Sequence, residues 1–186
     1  MKLTTREKII KAAITTLAQK PFSTLDDIAR AADVGRATLY RHFESRAVLI
    51  REMILEAGEK MEVEVSPIFD SRLPAKEKLK ELVMKLIPLG ASLHFSVYEP
   101  LHKKDPDVIH SYKKYLAKLR GLCSELKKEG VALPGIPTAW LAASLDKLIF
   151  TAWESIQSGD IAANDAPELL MRSYLNGIGV PDQIEE

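Results

Sequence analysis

Apolar residues return every three or four positions along most of this chain. Ile9, Ala13, Ile14 and Leu17 share one face and predict a helix from Thr4 to Ala18, with Thr5 as its cap. Pro21 and Phe22 then break and re-aim the chain, Phe22 being expected in the core. Leu25, Ile28 and Ala29 share a face after Thr24, a good N-cap, with Asp26 and Asp27 in the first turn where the helix dipole favours carboxylates. Leu39 and Phe43 stand four apart. Ser45 caps a longer helix that runs to about Val63 and packs through Ala47, Ile50 and Ile54. Leu79, Leu82, Val83 and Leu86 stripe a helix from Ala75 to about Tyr98, interrupted at Pro88-Leu-Gly90, where an interior proline is expected to kink it. Asp105-Pro106 is a cap followed by a first-turn proline and opens a helix to Lys128, with Gly130 as its stop. Pro137 starts another that reaches Ser158 before Gly159, and Asp165 with Pro167 begins the last, ending near Asn176-Gly177. Strand signals are absent, so the expected fold is all-α.

The pattern thins between residues 24 and 43. Two short helices are joined there by Asp33-Val34-Gly35, in which Asp33 tolerates left-handed geometry and Val34 plugs the space between the helices. The second helix needs only Leu39 and Phe43 inside. Arg36, Ala37, Thr38, Tyr40 and Arg41 project outward or sideways, and His42 sits at the helix end. Gly35, at the start, leaves the first backbone N–H groups open to a phosphate. Such a helix stabilises little by itself, and its basic and hydroxyl groups are easier to explain as a reading head for the DNA major groove.

The residues Ile9 to Leu17, Thr24-Leu-Asp-Asp-Ile-Ala29, Val34-Gly-Arg-Ala-Thr-Leu-Tyr-Arg-His-Phe43 and Ser45-Arg-Ala-Val-Leu49 resemble the N-terminal domain of the TetR (tetracycline-repressor-like) family of bacterial regulators. The resemblance covers about the first third of the chain; the remainder agrees in length and helical pattern. Asp33 stands where the family often has Gly, Gly35 where it has Ser or Gly, and Arg46 where it has Lys. The resemblance implies that Arg36, Ala37 and Arg41 lie nearest base edges, while Thr24, Thr38, Tyr40, His42 and Arg46 mainly hold phosphates. It also implies an N-terminal three-helix helix-turn-helix DNA-binding domain, joined by a long helix to a C-terminal helical ligand-binding and dimerisation domain.

Charge fits this division. The formal net charge is zero. Yet residues 1–51 carry Lys2, Arg6, Lys8, Lys11, Lys20, Arg30, Arg36, Arg41, Arg46 and Arg51 against only Glu7, Asp26, Asp27, Asp33 and Glu44. The basic excess is local to the DNA-reading end, which favours specific binding over a general nucleic-acid coat. Ser66 to Pro74, with two prolines and small polar residues, is the nearest thing to a boundary, giving domains of 1–64 and 65–186. The single Cys123 excludes an internal disulfide framework and suits a reducing cytosol. Charges throughout residues 1–20 leave no signal-peptide core, and no run approaches the ~20 apolar residues of a membrane span. A cytoplasmic protein without a membrane partner is expected.

The helix from Pro137 is apolar around most of its circumference and so is buried on more than one side. Its Leu141, Leu145, Leu148 and Ile156, with Leu170 and Tyr174 of the last helix, are the candidate homodimer interface, as the resemblance also implies. A dimer would fix two reading heads at the roughly 34–36 Å spacing of one DNA turn. In the family a small molecule enters the C-terminal helices and alters that spacing. Candidate lining here is Met84, Leu89, Leu93, His94, Tyr98, Tyr112, Leu116, Phe150 and Trp153, a mix suited to a mostly apolar organic effector. Asp146 is a charge inside an apolar helix, with structural pairing weighed above contact with a cationic effector.

No cofactor is expected. His94, His102 and His110 recur at eight-residue steps, but Pro100 and Pro106 break any single helical face between them, which argues against a metal sensor. No His-Glu-x-x-His, Gly-x-Ser-x-Gly or phosphate loop occurs, so no enzyme is expected. The principal alternative is a helical small-molecule-binding protein with a vestigial DNA-binding motif.

Overall fold

Thr4, not Thr5, caps the first helix: it accepts from the backbone of Glu7 while the Glu7 side chain accepts from the backbone of Thr4. This reciprocal cap opens α1 (Thr5–Gln19) in a computed structural model that describes residues 3–93 and 104–178. The helices α2 (Leu25–Ala31), α3 (Arg36–His42), α4 (Arg46–Asp70), α5 (Ala75–Leu93), α6 (Pro106–Lys128), α7 (Thr138–Ser158) and α8 (Ala166–Ile178) follow, and the described residues form no strand. None of these helices is long and apolar enough to cross a membrane.

Two helices run through an interior proline. α4 continues through Pro67 to Asp70 instead of ending near Val63, and α5 continues through Pro88. A proline inside a helix costs about 3 kcal/mol. Around Pro67, however, Met61, Val65 and Ile68 are all buried, and around Pro88 so are Leu86, Ile87 and Leu89. Each buried side chain of that size is worth about 1.5–3 kcal/mol, so packing outweighs the lost backbone bond. The stops behave as their residues dictate. Gly130 and Gly159 take positive φ (73° and 82°) after α6 and α7, and Asp105 accepts from the backbone of Asp107 and Val108 to cap α6.

The chain divides into two compact units. The first comprises Met1–Glu59 and Ala91–Ile109; the second, Lys60–Gly90 and His110–Glu186. The core of the first is built by Ile9, Ala13 and Leu17 of α1, Leu25 and Ile28 of α2, Leu39 and Phe43 at α3, Leu49, Ile50 and Met53 of α4, and Val108. Ala47 is exposed, and Leu49 takes the inward position. Phe22 is not in this core but 96% exposed: a turn closed by the Ser23 N–H on the Lys20 carbonyl sends it outward, while Ser23 and Leu25 are the buried residues of this stretch. Val108 is fastened by ion pairs from Arg51 to its neighbours Asp105 (2.6 Å) and Asp107.

The second unit is held by Leu79, Leu82 and Val83 of α5, Leu119, Leu122 and Leu126 of α6, Leu141, Leu145 and Ile149 of α7, and Leu170 and Tyr174 of α8. Buried Lys78 donates to the Phe69 carbonyl and to Glu125, and Lys118 bridges Glu62 (2.7 Å) and Ser66, so its buried and half-buried cations are paired.

Candidate nucleic-acid interface

α2 and α3 form a helix-turn-helix whose local causes can be followed residue by residue. Thr24 and Asp27 cap α2 reciprocally: the Asp27 N–H donates to Thr24 Oγ1 and the Thr24 N–H to Asp27 Oδ2. The Thr24 backbone N–H, then its hydroxyl, hold the Asp27 carboxyl below its ordinary range. The turn is made by Asp33 at φ 53°, the left-handed conformation expected of it, and by the Val34 N–H donating back to the Ala29 carbonyl. Val34 then packs against the core.

Gly35 caps α3 without a side-chain bond, in an extended conformation open to any residue. Leu39 and Phe43 are the inward anchors, 0% and 1% exposed. Gly35, Arg36, Ala37, Tyr40, Arg41 and His42 are exposed, as is Thr24, and Thr38 is half-buried. Arg36 forms an ion pair with Asp26 of α2 (3.1 Å) and its guanidinium carbon lies 5.4 Å from the Tyr40 ring centre. Arg46, half-buried at the start of α4, donates to the Pro21 carbonyl (2.8 Å) and so ties α4 to the turn after α1. On α1, Arg6 pairs with Glu52 and Glu56 of α4 and covers the Phe43 ring at 5.8 Å. The reading helix is thus fixed from behind by apolar anchors, and its front is chemically polar. Asp26 was missed as a member of this surface because its first-turn position already accounted for its charge.

The residues expected around an effector are distributed unevenly. His94 and Tyr98 lie outside the described residues, and Leu93 is the last residue of α5. Leu89 and Trp153 are buried, Leu116 and Phe150 half-buried, while Met84 is 55% exposed. The Gly90 backbone lies against the Trp153 indole so closely that a Cβ on Gly90 would stand 2.3 Å from the ring. Tyr112, partly open, donates to Asp146 Oδ2 at 2.9 Å. The Lys147 ammonium reaches the same oxygen at 3.2 Å and lies 5.5 Å from the Phe150 ring centre. Asp146, buried, is therefore paired within its own chain. Burial first, and then the Asp146 charge, push the hydroxyls of Tyr112 and of fully buried Tyr115 well above the ordinary tyrosine range.

The residues expected at a dimer interface are mostly used internally. Leu141, Leu145, Leu170 and Tyr174 are buried within the chain, and the Tyr174 hydroxyl donates to the Leu141 carbonyl at 2.9 Å. Leu148 and Ile156 are half-buried. Among the described residues, the large apolar side chains that α7 and α8 leave exposed are Trp140 and Leu169.

Comparison with known proteins converges on this geometry. Residues 9–53 match the family model described as bacterial regulatory proteins, tetR family. Over its length the chain is similar to the HTH-type transcriptional repressor LfrR of Mycolicibacterium smegmatis, with 25% identity covering 94% of this chain and 90% of that protein. It is 46% identical to a probable acrEF/envCD operon repressor of Escherichia coli over 56 residues, 29% of this chain and 26% of that one. Among solved structures, LfrR from Mycobacterium smegmatis in complex with proflavine superposes with a TM-score of 0.79 at 24% identity, covering 95% of this chain and 97% of that one. The matched segment spans the helix-turn-helix and reaches into both helices that flank it: residues 9–53 match the DNA-binding segment of the tetR family of bacterial regulatory proteins, and over its length the chain is similar to TetR-like transcriptional regulators in fold.

Proposed function

We propose that this regulator is a repressor that binds a palindromic operator as a homodimer and is released by a small, largely apolar effector. The observation that carries the reading is α3: Leu39 alone is buried within it, and Arg36, Ala37, Tyr40, Arg41 and His42 are exposed. Repression is the sense given by the names of its relatives, LfrR and the acrEF/envCD operon repressor. In this reading Arg36, Ala37 and Arg41 approach base edges. Thr24, Gly35, Thr38, Tyr40, His42 and Arg46 contact phosphates, which set position and not sequence.

The effector region is assigned to the second unit, where half-buried Leu116 and Phe150, partly open Tyr112 and buried Trp153 provide aromatic and apolar surface. A second copy would meet α7 and α8 through Trp140, Leu148, Ile156 and Leu169, since the more buried members of those helices are committed to their own core. An effector releases DNA only by favouring one conformation over another, with couplings typically about 1–3 kcal/mol, and the operator must weaken effector binding by the same factor.

The test is salt-dependent binding to the DNA upstream of the protein's own coding region, with a random duplex as reference. Specific binding with a steep salt slope is expected. Arg36→Ala is expected to relax preference at one base position at a cost of about 1–3 kcal/mol. Equal losses on specific and random DNA would reduce Arg36 to a phosphate contact, and affinity indistinguishable between the two duplexes would overturn the regulator reading.

A further inference from the structure

The pair Arg36–Asp26 joins the first turn of α2 to the first turn of α3 at the surface, its side chains 70% and 43% exposed, yet one of its atoms is covered. Asp26 Oδ1 is buried and has no aligned hydrogen-bond donor, although Arg36 Nε stands 3.1 Å away. A buried carboxylate oxygen without an aligned donor is costly, and the penalty grows where water is excluded. The contact involves the inner nitrogen of the guanidinium. The two terminal amino groups, the fork that matches O6 and N7 of guanine, lie outside it. Tyr40, one helical turn after Arg36, places its ring 5.4 Å from the guanidinium carbon and limits how the planar group can tilt.

We propose that Asp26 is a positioning residue for sequence readout: it holds Arg36 by Nε over the Tyr40 ring so that the terminal fork is aimed at a guanine. The proposal rests on the base-reading role given to Arg36 above. Docking α3 in the groove removes water from the pair, which strengthens the attraction and completes the missing alignment between Nε and Oδ1. The guanine then receives a guanidinium whose rotation has already been restricted, so less side-chain entropy is lost on binding. Asp26 itself touches no base. Its effect on affinity has a distinctive sign, because deleting a carboxylate near DNA weakens repulsion and on electrostatic grounds alone strengthens binding to every sequence.

The full-length protein, Asp26→Ala, Asp26→Asn, Arg36→Ala and the double variant Asp26→Ala/Arg36→Ala are each used to select from a randomised duplex library. Affinities for the selected duplex and for a random duplex are then measured. Arg36→Ala is expected to lose one guanine preference. Asp26→Ala is expected to weaken the preference at that same position by about tenfold, within the range of a bidentate arginine–guanine contact, while its random-duplex affinity is unchanged or higher. Asp26→Asn, which retains Oδ1, should keep part of the preference, and the double variant should match Arg36→Ala. A full guanine preference in both Asp26 variants overturns the proposal and leaves the base-reading role of Arg36 intact. Tighter and sharper selection by Asp26→Ala overturns it in the opposite sense, making Asp26 a competitor for Arg36. Uniform losses in Arg36→Ala overturn the base-reading role and the proposal together. Should Asp26→Ala also lose random-duplex binding through unfolding, Asp26→Asn decides.

Discussion

α3 and α7 carry two kinds of proposed functional surface. α3 has seven residues and buries Leu39; α7 has twenty-one and buries Leu141, Ala142, Leu145, Asp146, Ile149, Ala152 and Trp153. In α3 the side chains assigned above to DNA are those that packing does not use, so they stand out as a departure from the core pattern. In α7 an effector contact and a core contact call for the same residue types. Trp153 illustrates the difficulty: it is buried, and the Gly90 backbone lies against its ring, which is a packing role whatever else it does. A surface that acts outward is legible as chemistry without a structural reason; a surface that acts inward is not.

The comparison can be broken most forcefully at the anchors. Leu39→Ala removes a fully buried side chain from a helix with little other hold on the domain and is expected to cost about 2–5 kcal/mol. Urea unfolding should show that loss together with loss of DNA binding. Retained binding at near-native stability would mean that α3 is held by something other than its core. Next in size, Gly90→Ala forces a methyl group against the Trp153 ring and should destabilise the second unit by about 1–3 kcal/mol. Hydrogen exchange should place that loss in α5 and α7. An unchanged exchange pattern would show that the indole can move aside.

Smaller effects sharpen the contrast. The raised hydroxyl of Tyr115 stabilises the fold below the unfolded tyrosine value of about 10, and this contribution is lost as pH rises from there toward the higher folded value. Stability measured by thermal melting should therefore fall on the alkaline side, and Tyr115→Phe should flatten that limb. In the first unit, Asp33→Gly relieves a left-handed residue at φ 53° and should raise the melting temperature through a gain of up to about 1 kcal/mol. A loss instead would show that the Asp33 side chain itself stabilises the turn.

Much of the helix-turn-helix could be read directly because its signals are local. The Thr24 cap, the left-handed Asp33 and the four-residue interval from Leu39 to Phe43 each describe a few neighbouring residues, and each is realised. Local signals failed where distant burial outweighed them. Pro67 promised a break, but the apolar side chains around it kept α4 running to Asp70. Phe22 promised burial from its residue type, and the turn at Lys20–Ser23 aimed it at solvent. Asp105 and Val108 joined the first unit from more than fifty residues beyond Arg51, a pairing that no periodicity encodes.

The sequence by itself determined the helices of the described residues, the position of the short helix α3 and the side chains it presents, because capping, turn geometry and helical spacing act over three or four residues. Only the tertiary structure decided that Asp146 is held by Tyr112, that Leu141, Leu145, Leu170 and Tyr174 are used in the chain's own core, and that Asp26 lies beside Arg36. Those facts depend on which elements meet and at what distance. Burial and electrostatic pairing act through space, and residues far apart along the chain acquire them only when the helices pack.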